Sequence, residues 1–315
     1  MASYLITGGA GFIGSHLADA LLAAGHRVHV LDDLSTGRRG NLPADACLTV
    51  ADVNDDAALD AIAADGLDGC FHLAAVASVQ RCNEEWVATH DVNLRGTISV
   101  LEAARRFGFP VVYASSAAVY GDCDRLPLRE DDAPTRPLTA YGADKLGSEL
   151  HARVAGVVHG VSTFGLRFFN VFGPRQDPAS PYSGVVSIFA DRLARNEPVT
   201  IHGDGGQSRD FVYVGDVVRA LVAALRKADV SAPVANVCTG RATTVRTLAE
   251  TLATLTASTA AISTGPARTG DIRHSLGDPG VMAHALGVTA DVSLADGLGA
   301  LLSHASPGRP PIPAE

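Results

Sequence analysis

Short apolar runs and longer mixed segments alternate through the first half of the chain. Tyr4 to Thr7, Arg27 to Leu31, Cys47 to Val50, Gly69 to Leu73, Val111 to Ala114 and Thr163 to Arg167 are runs of four or five residues. They read as strands, and the stretches between them as helices. That alternation predicts an α/β fold, a Rossmann-type doubly wound parallel sheet. Beyond "FFNVFGPRQDPASP" the pattern loosens into loops rich in Pro, Gly and Asp, with short strand-like pieces such as Val199 to His202. Helical patterns then cover Val214 to Lys227 and Thr244 to Thr256, so a smaller mixed α/β part is expected to begin near Val171. The run "FVYVGDVVRALVAALR" is apolar enough to rejoin the first sheet. The closing "SPGRPPIPAE" is expected to be disordered, because its prolines lack the donors a helix needs.

The first apolar run opens into "TGGAGFIGS", with Gly9, Gly11 and Gly14 in the spacing G-x-G-x-x-G and Gly8 extending it. Glycines there let the backbone turn tightly against a pyrophosphate, and the helix that follows offers free amides and a favourable dipole end. The second run ends in Asp32, about twenty residues further on, where a carboxylate reaches both ribose hydroxyls of an adenosine. It would repel a 2'-phosphate, and Arg38 and Arg39 stand several residues away, so NAD is favoured over NADP. Asp52, after the third run, is placed either to meet the adenine amino group or to cap a helix.

The fifth run leads into "SSAAVYG", residues 115 to 121, which is either a polar turn or part of an active site. "YGADK" decides for the site by placing Tyr141 and Lys145 four residues apart, on one face of a helix. A phenol with an ordinary pKa of about 10 is a poor base at neutral pH, but a neighbouring ammonium favours the phenolate. Tyr141 can then remove a hydroxyl proton as hydride leaves the same carbon, with Ser116 bonding that oxygen.

Composition narrows the partners. The 315 residues are 47 % hydrophobic and carry a net charge of -9, which argues against nucleic acid or an anionic membrane as the main partner. An anionic ligand must therefore be held by local basic groups and backbone amides. The opening "MASYLITGGAGFIGS" has no basic region followed by an apolar stretch, so neither a signal peptide nor a membrane span is expected. Five cysteines, Cys47, Cys70, Cys82, Cys123 and Cys238, are scattered without metal-ligand spacing. Reduced thiols in a cytoplasmic protein, with no disulfide and no metal, are expected.

The chain resembles the extended short-chain dehydrogenase/reductase superfamily in its nucleotide-sugar epimerase and dehydratase branch, and most of all the UDP-glucose and UDP-N-acetylglucosamine 4-epimerases. The matching segments are "TGGAGFIGS", "LDDLSTG", "FHLAA", "SSAAVYG", "YGADK", "FFNVFGPRQDP", "DGGQSRDFVYVGDV" and "GDIRHS". The resemblance implies an NAD-binding Rossmann domain over 1–170, rejoined by about 211–235, and a UDP-sugar domain from 171–210 and 236–305. It extends the NAD site to Phe12, Ile13, Asp33, Ser35, Thr36, Gly37, Val53, Leu73, Ala74, Ala75 and Asn93, with Tyr141 and Lys145 also touching the cofactor. Asn170, Arg209, Arg268 and Asp271 are implied to hold the nucleotide, and Ser78, Val185 and Ser275 to lie along the substrate. It also implies a homodimer built from helices around Asn83 to Arg106 and Tyr141 to His159.

Within that family the two alanines of "SSAAVYG" carry information. Related dehydratases place an Asp-Glu pair at Ala117 and Ala118, and related decarboxylases a Glu at Ala118. Without them, a transient 4-keto sugar is expected to be reduced again on its other face, which is 4-epimerisation. UDP-glucuronate 4-epimerisation, or another nucleotide-sugar oxidoreduction, is the second enzymatic reading. A catalytically silent NAD-binding sensor is the third, and retention of Ser116, Tyr141 and Lys145 together speaks against it.

Overall fold

The computed structural model describes residues 1–177, 184–267 and 272–305. Arg268, Asp271 and the proline-rich tail lie outside the described residues. Twelve strands and ten α-helices are defined among those residues. The first half comprises β1 (Ser3–Thr7), α1 (Phe12–Ala23), β2 (Arg27–Asp32), β3 (Cys47–Val50), α2 (Asp56–Ala64), β4 (Gly69–His72), α3 (Val79–Glu84), α4 (Trp86–His90) and α5 (Gly96–Phe107). Then come β5 (Val111–Ser116), α6 (Ala140–His159), β6 (Thr163–Phe168), β7 (Asn170–Phe172), α7 (Val185–Ala194), β8 (Val199–His202) and β9 (Ser208–Tyr213). The chain continues through α8 (Val214–Leu225), β10 (Val234–Val237), β11 (Ala242–Thr244), α9 (Val245–Thr256), β12 (Ile262–Gly265) and α10 (Leu294–Ala305).

Seven strands form one sheet in the order β10-β6-β5-β4-β1-β2-β3, every neighbouring pair parallel. Neighbouring residues of one strand serve opposite faces of this sheet. Ile6 joins Leu17, Leu21, Val217 and Leu221 beneath α1 and α8, while Leu5 joins Leu59, Val100 and Leu101 beneath α2 and α5. Burial on both faces explains why the sequence shows continuous apolar runs instead of alternation. The strand order reverses beside β1, and the crevice beyond the carboxyl ends of β1 and β4 is where this architecture places a ligand.

The remaining strands form a three-stranded sheet, β11-β9-β7, and a parallel pair, β12-β8. Phe172, Phe189, Leu193, Ile201, Leu248, Leu252 and Leu298 bury a separate core there, against α7, α9 and α10. From β9 the chain returns through α8 to the large sheet, where Val234–Val237 pairs with β6.

Several boundaries differ from the sequence pattern. Strand β5 runs on through both serines, because Ser115 and Ser116 keep their register with Arg167 and Phe168 of β6. The helix expected from Asn83 to Arg106 breaks at Glu85, whose backbone lies at φ -111°, ψ 47°, and includes a wider π-helical turn over Asp91–Arg95. Thr244 is not helical but caps α9, its hydroxyl accepting from the Thr247 amide at 3.0 Å. Among the described residues no helix is long and apolar enough to cross a membrane.

Candidate active site

The glycine-rich turn after β1 is held from three sides. Gly8 adopts φ +69°, which favours glycine, and a Cβ on it would come 2.6 Å from the Ala74 amide nitrogen. A Cβ on Gly14 would come 2.4 Å from the Gly8 carbonyl, so α1 can pack this closely on the turn only without a side chain there. The N-cap, Gly11, has no side chain to bond the first-turn amides, and that turn carries no acidic residue. Those amides around Phe12, Ile13 and Gly14 are thus free for an anion.

Asp32, at the end of β2, is buried, and each carboxylate oxygen accepts one backbone amide, from Ala10 and from Leu34, both at 2.9 Å. Burial pushes its pKa up, and the two amide hydrogen bonds oppose this. A carboxylate has about four acceptor positions, so two remain for vicinal hydroxyls. Asp33 is exposed and accepts from both the amide and the hydroxyl of Ser35, shaping the loop that continues through Thr36 and Gly37. Arg38 pairs with Asp177 across the groove instead of standing free for a 2'-phosphate. Asp52 is exposed and accepts from the Asn54 amide at 2.7 Å, while Asp55 is the residue that caps α2. Val53 is buried against Gly96.

Leu73 and Ala74, followed by Ala75, pack behind the glycine turn at Gly8, with the Leu73 amide on the Thr7 carbonyl at 3.0 Å. Asn93 is fully buried. Its carboxamide grips the backbone of Val76, Oδ1 accepting at 2.8 Å and Nδ2 donating at 3.2 Å, so it anchors this loop from behind. Ser78 caps α3 by accepting from the Arg81 amide. The crevice has the backbone turn, the uncapped helix end and the carboxylate that a dinucleotide needs.

The second half of the site depends on the approach of α6 to the turn after β5. Thr139 caps α6 through its hydroxyl, which accepts from Gly142 at 3.0 Å and fixes Tyr141 in the first turn. A Cβ on Gly142 would lie 2.7 Å from the Ala118 carbonyl, so glycine after Tyr141 is what lets the two segments touch. Ser116 accepts from the Ala118 amide at 3.1 Å and lies near Tyr141. Burial pushes the Tyr141 phenol up to about 12, and the nearby Ser116 hydroxyl opposes the rise. Lys145 is 2 % exposed, with its ammonium 5.8 Å from the Tyr141 ring centroid. Burial lowers its pKa to about 8, opposed by the charges of Asp144 and Cys82.

Of the two serines only Ser116 faces this group. Ser115 is buried, and its hydroxyl donates to Glu149 at 2.5 Å. Glu149 in turn binds Arg167 through both oxygens at 2.9 and 2.7 Å, and Arg167 donates to the Tyr120 hydroxyl at 2.8 Å. A second buried chain runs from Thr7 through His72 and Thr97 to Ser148, with contacts of 2.7, 3.1 and 3.0 Å. His72 is neutral, its pKa lowered to about 3 by burial and by Lys145. Sequence reasoning missed both chains. Their only signal was a polar residue at the end of an apolar strand, as in "FHLAA".

Of the described residues expected along the substrate, Asn170, Val185, Arg209 and Ser275 lie in the second lobe, while Ser78 and Ser116 lie in the first. Asn170 is exposed at the start of β7, and Val185 is the first residue of α7. Arg209, on β9, is half-buried and donates to the Ser208 carbonyl at 2.8 Å. The Ser275 amide bonds that same carbonyl at 3.1 Å, which places Ser275 next to Arg209.

Fold and site together define an NAD-binding enzyme of the short-chain dehydrogenase/reductase class. Residues 4–238 match the NAD dependent epimerase/dehydratase family, and the chain belongs to that family. It is 38 % identical over 301 residues to a UDP-glucose 4-epimerase of Mycolicibacterium smegmatis, covering 93 % of this chain and 95 % of the relative. It superposes with a TM-score of 0.92 on the UDP-glucose 4-epimerase of Thermotoga maritima solved with UDP-glucose, at 36 % identity and covering 96 % and 98 % of the two chains. The UDP-glucose 4-epimerase of Thermus thermophilus solved with NAD gives 0.89, at 36 % identity and the same coverages.

Proposed function

We propose that this enzyme is a UDP-hexose 4-epimerase that interconverts UDP-glucose with UDP-galactose and UDP-GlcNAc with UDP-GalNAc. The observation that carries the reading is Ser116 beside Tyr141, with Lys145 buried next to that ring and alanine at both 117 and 118 at the start of the adjoining turn. NAD, when bound on the glycine turn, supplies reversible two-electron oxidation at the sugar carbon. Tyr141 takes the C4 hydroxyl proton, the Lys145 ammonium stabilises the phenolate, and Ser116 holds the reacting oxygen as it becomes a carbonyl. Methyl side chains at 117 and 118 offer no acid or base to eliminate water from the keto sugar. Reduction after the ring has turned, with Tyr141 returning its proton, is then the open course.

In this reading 1–170 and about 211–235 carry the cofactor, while 171–210 and 236–305 hold the UDP-sugar. Asn170, Arg209, Arg268 and Asp271 anchor the nucleotide, guanidinium groups being suited to phosphate oxygens. Ser78, Val185 and Ser275 border the sugar, and the small Ser275 leaves room for an N-acetyl group. A homodimer in the cytoplasm completes the reading, because α5 and α6 expose Ile98, Leu150, Val154, Val157 and Val158. Light scattering at micromolar concentration should give twice the chain mass. Incubation with UDP-glucose, UDP-GlcNAc and UDP-glucuronate separately, with products identified by NMR, tests the activity. Galacto products from the first two support it, and turnover of UDP-glucuronate alone overturns it.

A further inference from the structure

Tyr120 closes the one-turn segment Ala117–Tyr120 that Ser116 caps, and its hydroxyl bonds in two directions inside the core. It accepts from Arg167 Nη1 at 2.8 Å and donates to Asn236 Oδ1 at 2.7 Å. A guanidinium group only donates, so the phenol proton points to Asn236, and the other end of that carboxamide donates to the Leu128 carbonyl at 2.9 Å. The Leu128 amide in turn donates to the Leu276 carbonyl, and the Leu128 carbonyl also accepts from the Asp278 amide, both at 2.8 Å. We propose that Tyr120 and Asn236 are positioning residues that hold the segment from Leu276 to Asp278, and with it Ser275, at a set distance from Ser116, and thereby fix the width of the sugar site. The inference rests on the epimerase reading for Ser116 and Ser275 bordering one sugar, but not for the strut itself.

The strut has one direction of hydrogen bonding. Turning the Asn236 carboxamide over would set its oxygen against the Leu128 carbonyl, two acceptors with no proton between them. At the catalytic end, Arg167 also binds Glu149 of α6, about two turns beyond Tyr141, so the helix that carries Tyr141 is tied to the same point. Near the middle, Glu130 accepts from the Asn236 amide at 2.5 Å and joins the loop around Leu128 to β10 a second time. At the far end the segment is seated closely: a Cβ on Gly277 would come 2.6 Å from Phe169 Cζ and 2.6 Å from Cys238 Sγ. Tyr120 and Asn236 are buried, so each acts through the segments it holds.

Tyr120→Phe keeps the ring and removes the link. In the NAD-loaded protein, amide hydrogen exchange from Leu276 to Asp278 should become about 2- to 30-fold faster, the range expected for a mutation along a coupled network, while β1 and β2 exchange as in the wild type. The kcat/KM for UDP-glucose should fall by a similar factor and that for UDP-GlcNAc by less, because a looser gap costs the larger sugar less. Tyr113→Phe is the control, since that buried hydroxyl on β5 has no hydrogen-bond partner among the described residues, and both readouts should stay at their wild-type values. Asn236→Asp has the same shape but sets an oxygen against the Leu128 carbonyl; it should act as Tyr120→Phe does and serves if that variant does not fold. Unchanged exchange from Leu276 to Asp278 overturns the inference, as does an equal fall in kcat/KM for the two sugars, which a general loss of stability would give. If exchange responds as described while the wild type converts no UDP-hexose, the epimerase reading falls and the strut stands.

Discussion

Gly14→Ala tests whether the crevice beyond β1 is the dinucleotide site. The added methyl starts 2.4 Å from the Gly8 carbonyl and 2.7 Å from Gly9 Cα, whereas ordinary contact begins near 3.4 Å, so the turn must open by roughly 1 Å. Little room exists behind it. Gly8 already lies against the Ala74 backbone, and Gly9 against Val30, where a Cβ would come within 2.7 Å. The turn therefore moves outward into the space that a pyrophosphate occupies. Overpacking of this kind costs about 1–3 kcal/mol, and if that falls on the bound state the NAD dissociation constant rises about 5- to 150-fold. Calorimetric titration of protein stripped of its nucleotide measures the change. Gly40→Ala is the control, because nothing lies within 4 Å of a Cβ there. Equal affinity in the two variants, both folded by circular dichroism, would refute the placement of the cofactor.

Tyr141→Phe should retain NAD and lose about 100- to 10,000-fold in kcat, measured by product NMR, because the ring stays and the proton acceptor goes. Ser116→Ala should lose less, about 10- to 1000-fold, and an unchanged rate would return Ser116 to a purely structural turn. Ser275→Tyr should depress kcat/KM for the N-acetylated pair and spare UDP-glucose and UDP-galactose; an equal fall for both pairs removes Ser275 as the gatekeeper. His72 has a folded pKa of about 3 against 6.5 when unfolded, so protons bind the unfolded chain more readily below pH 6.5. Stability should fall by up to about 1.4 kcal/mol per pH unit over that window, and His72→Asn should flatten the decline of the urea midpoint between pH 6.5 and 5.

The strands of the large sheet were legible because burial on both faces writes them as apolar runs, and the glycine turn because its spacing reflects backbone contacts. Tyr141 and Lys145 were legible because helix periodicity puts them on one face. What escaped depended on partners far apart in sequence. Ser115 and Glu149 are 34 residues apart, and neither pattern nor spacing reveals that one of two adjacent serines turns into the core. Tyr120 and Asn236, 116 residues apart, were hidden for the same reason. The grip of Asn93 on the Val76 backbone likewise becomes visible only once the loop after β4 is folded.

The return of the chain to the large sheet has a consequence in time. On a ribosome adding about 5–20 residues per second, the stretch from Phe168 to Val237 takes roughly 3–14 s to synthesise. Throughout that interval β6 is the outermost strand made of the large sheet, with its edge toward β10 unpaired. An open apolar edge is a site for pairing with another nascent chain. Translation speed across the second lobe therefore sets how long this edge stays open. Slowing initiation, which spaces neighbouring chains on a message, should raise the soluble yield more than slowing elongation, which lengthens the exposure.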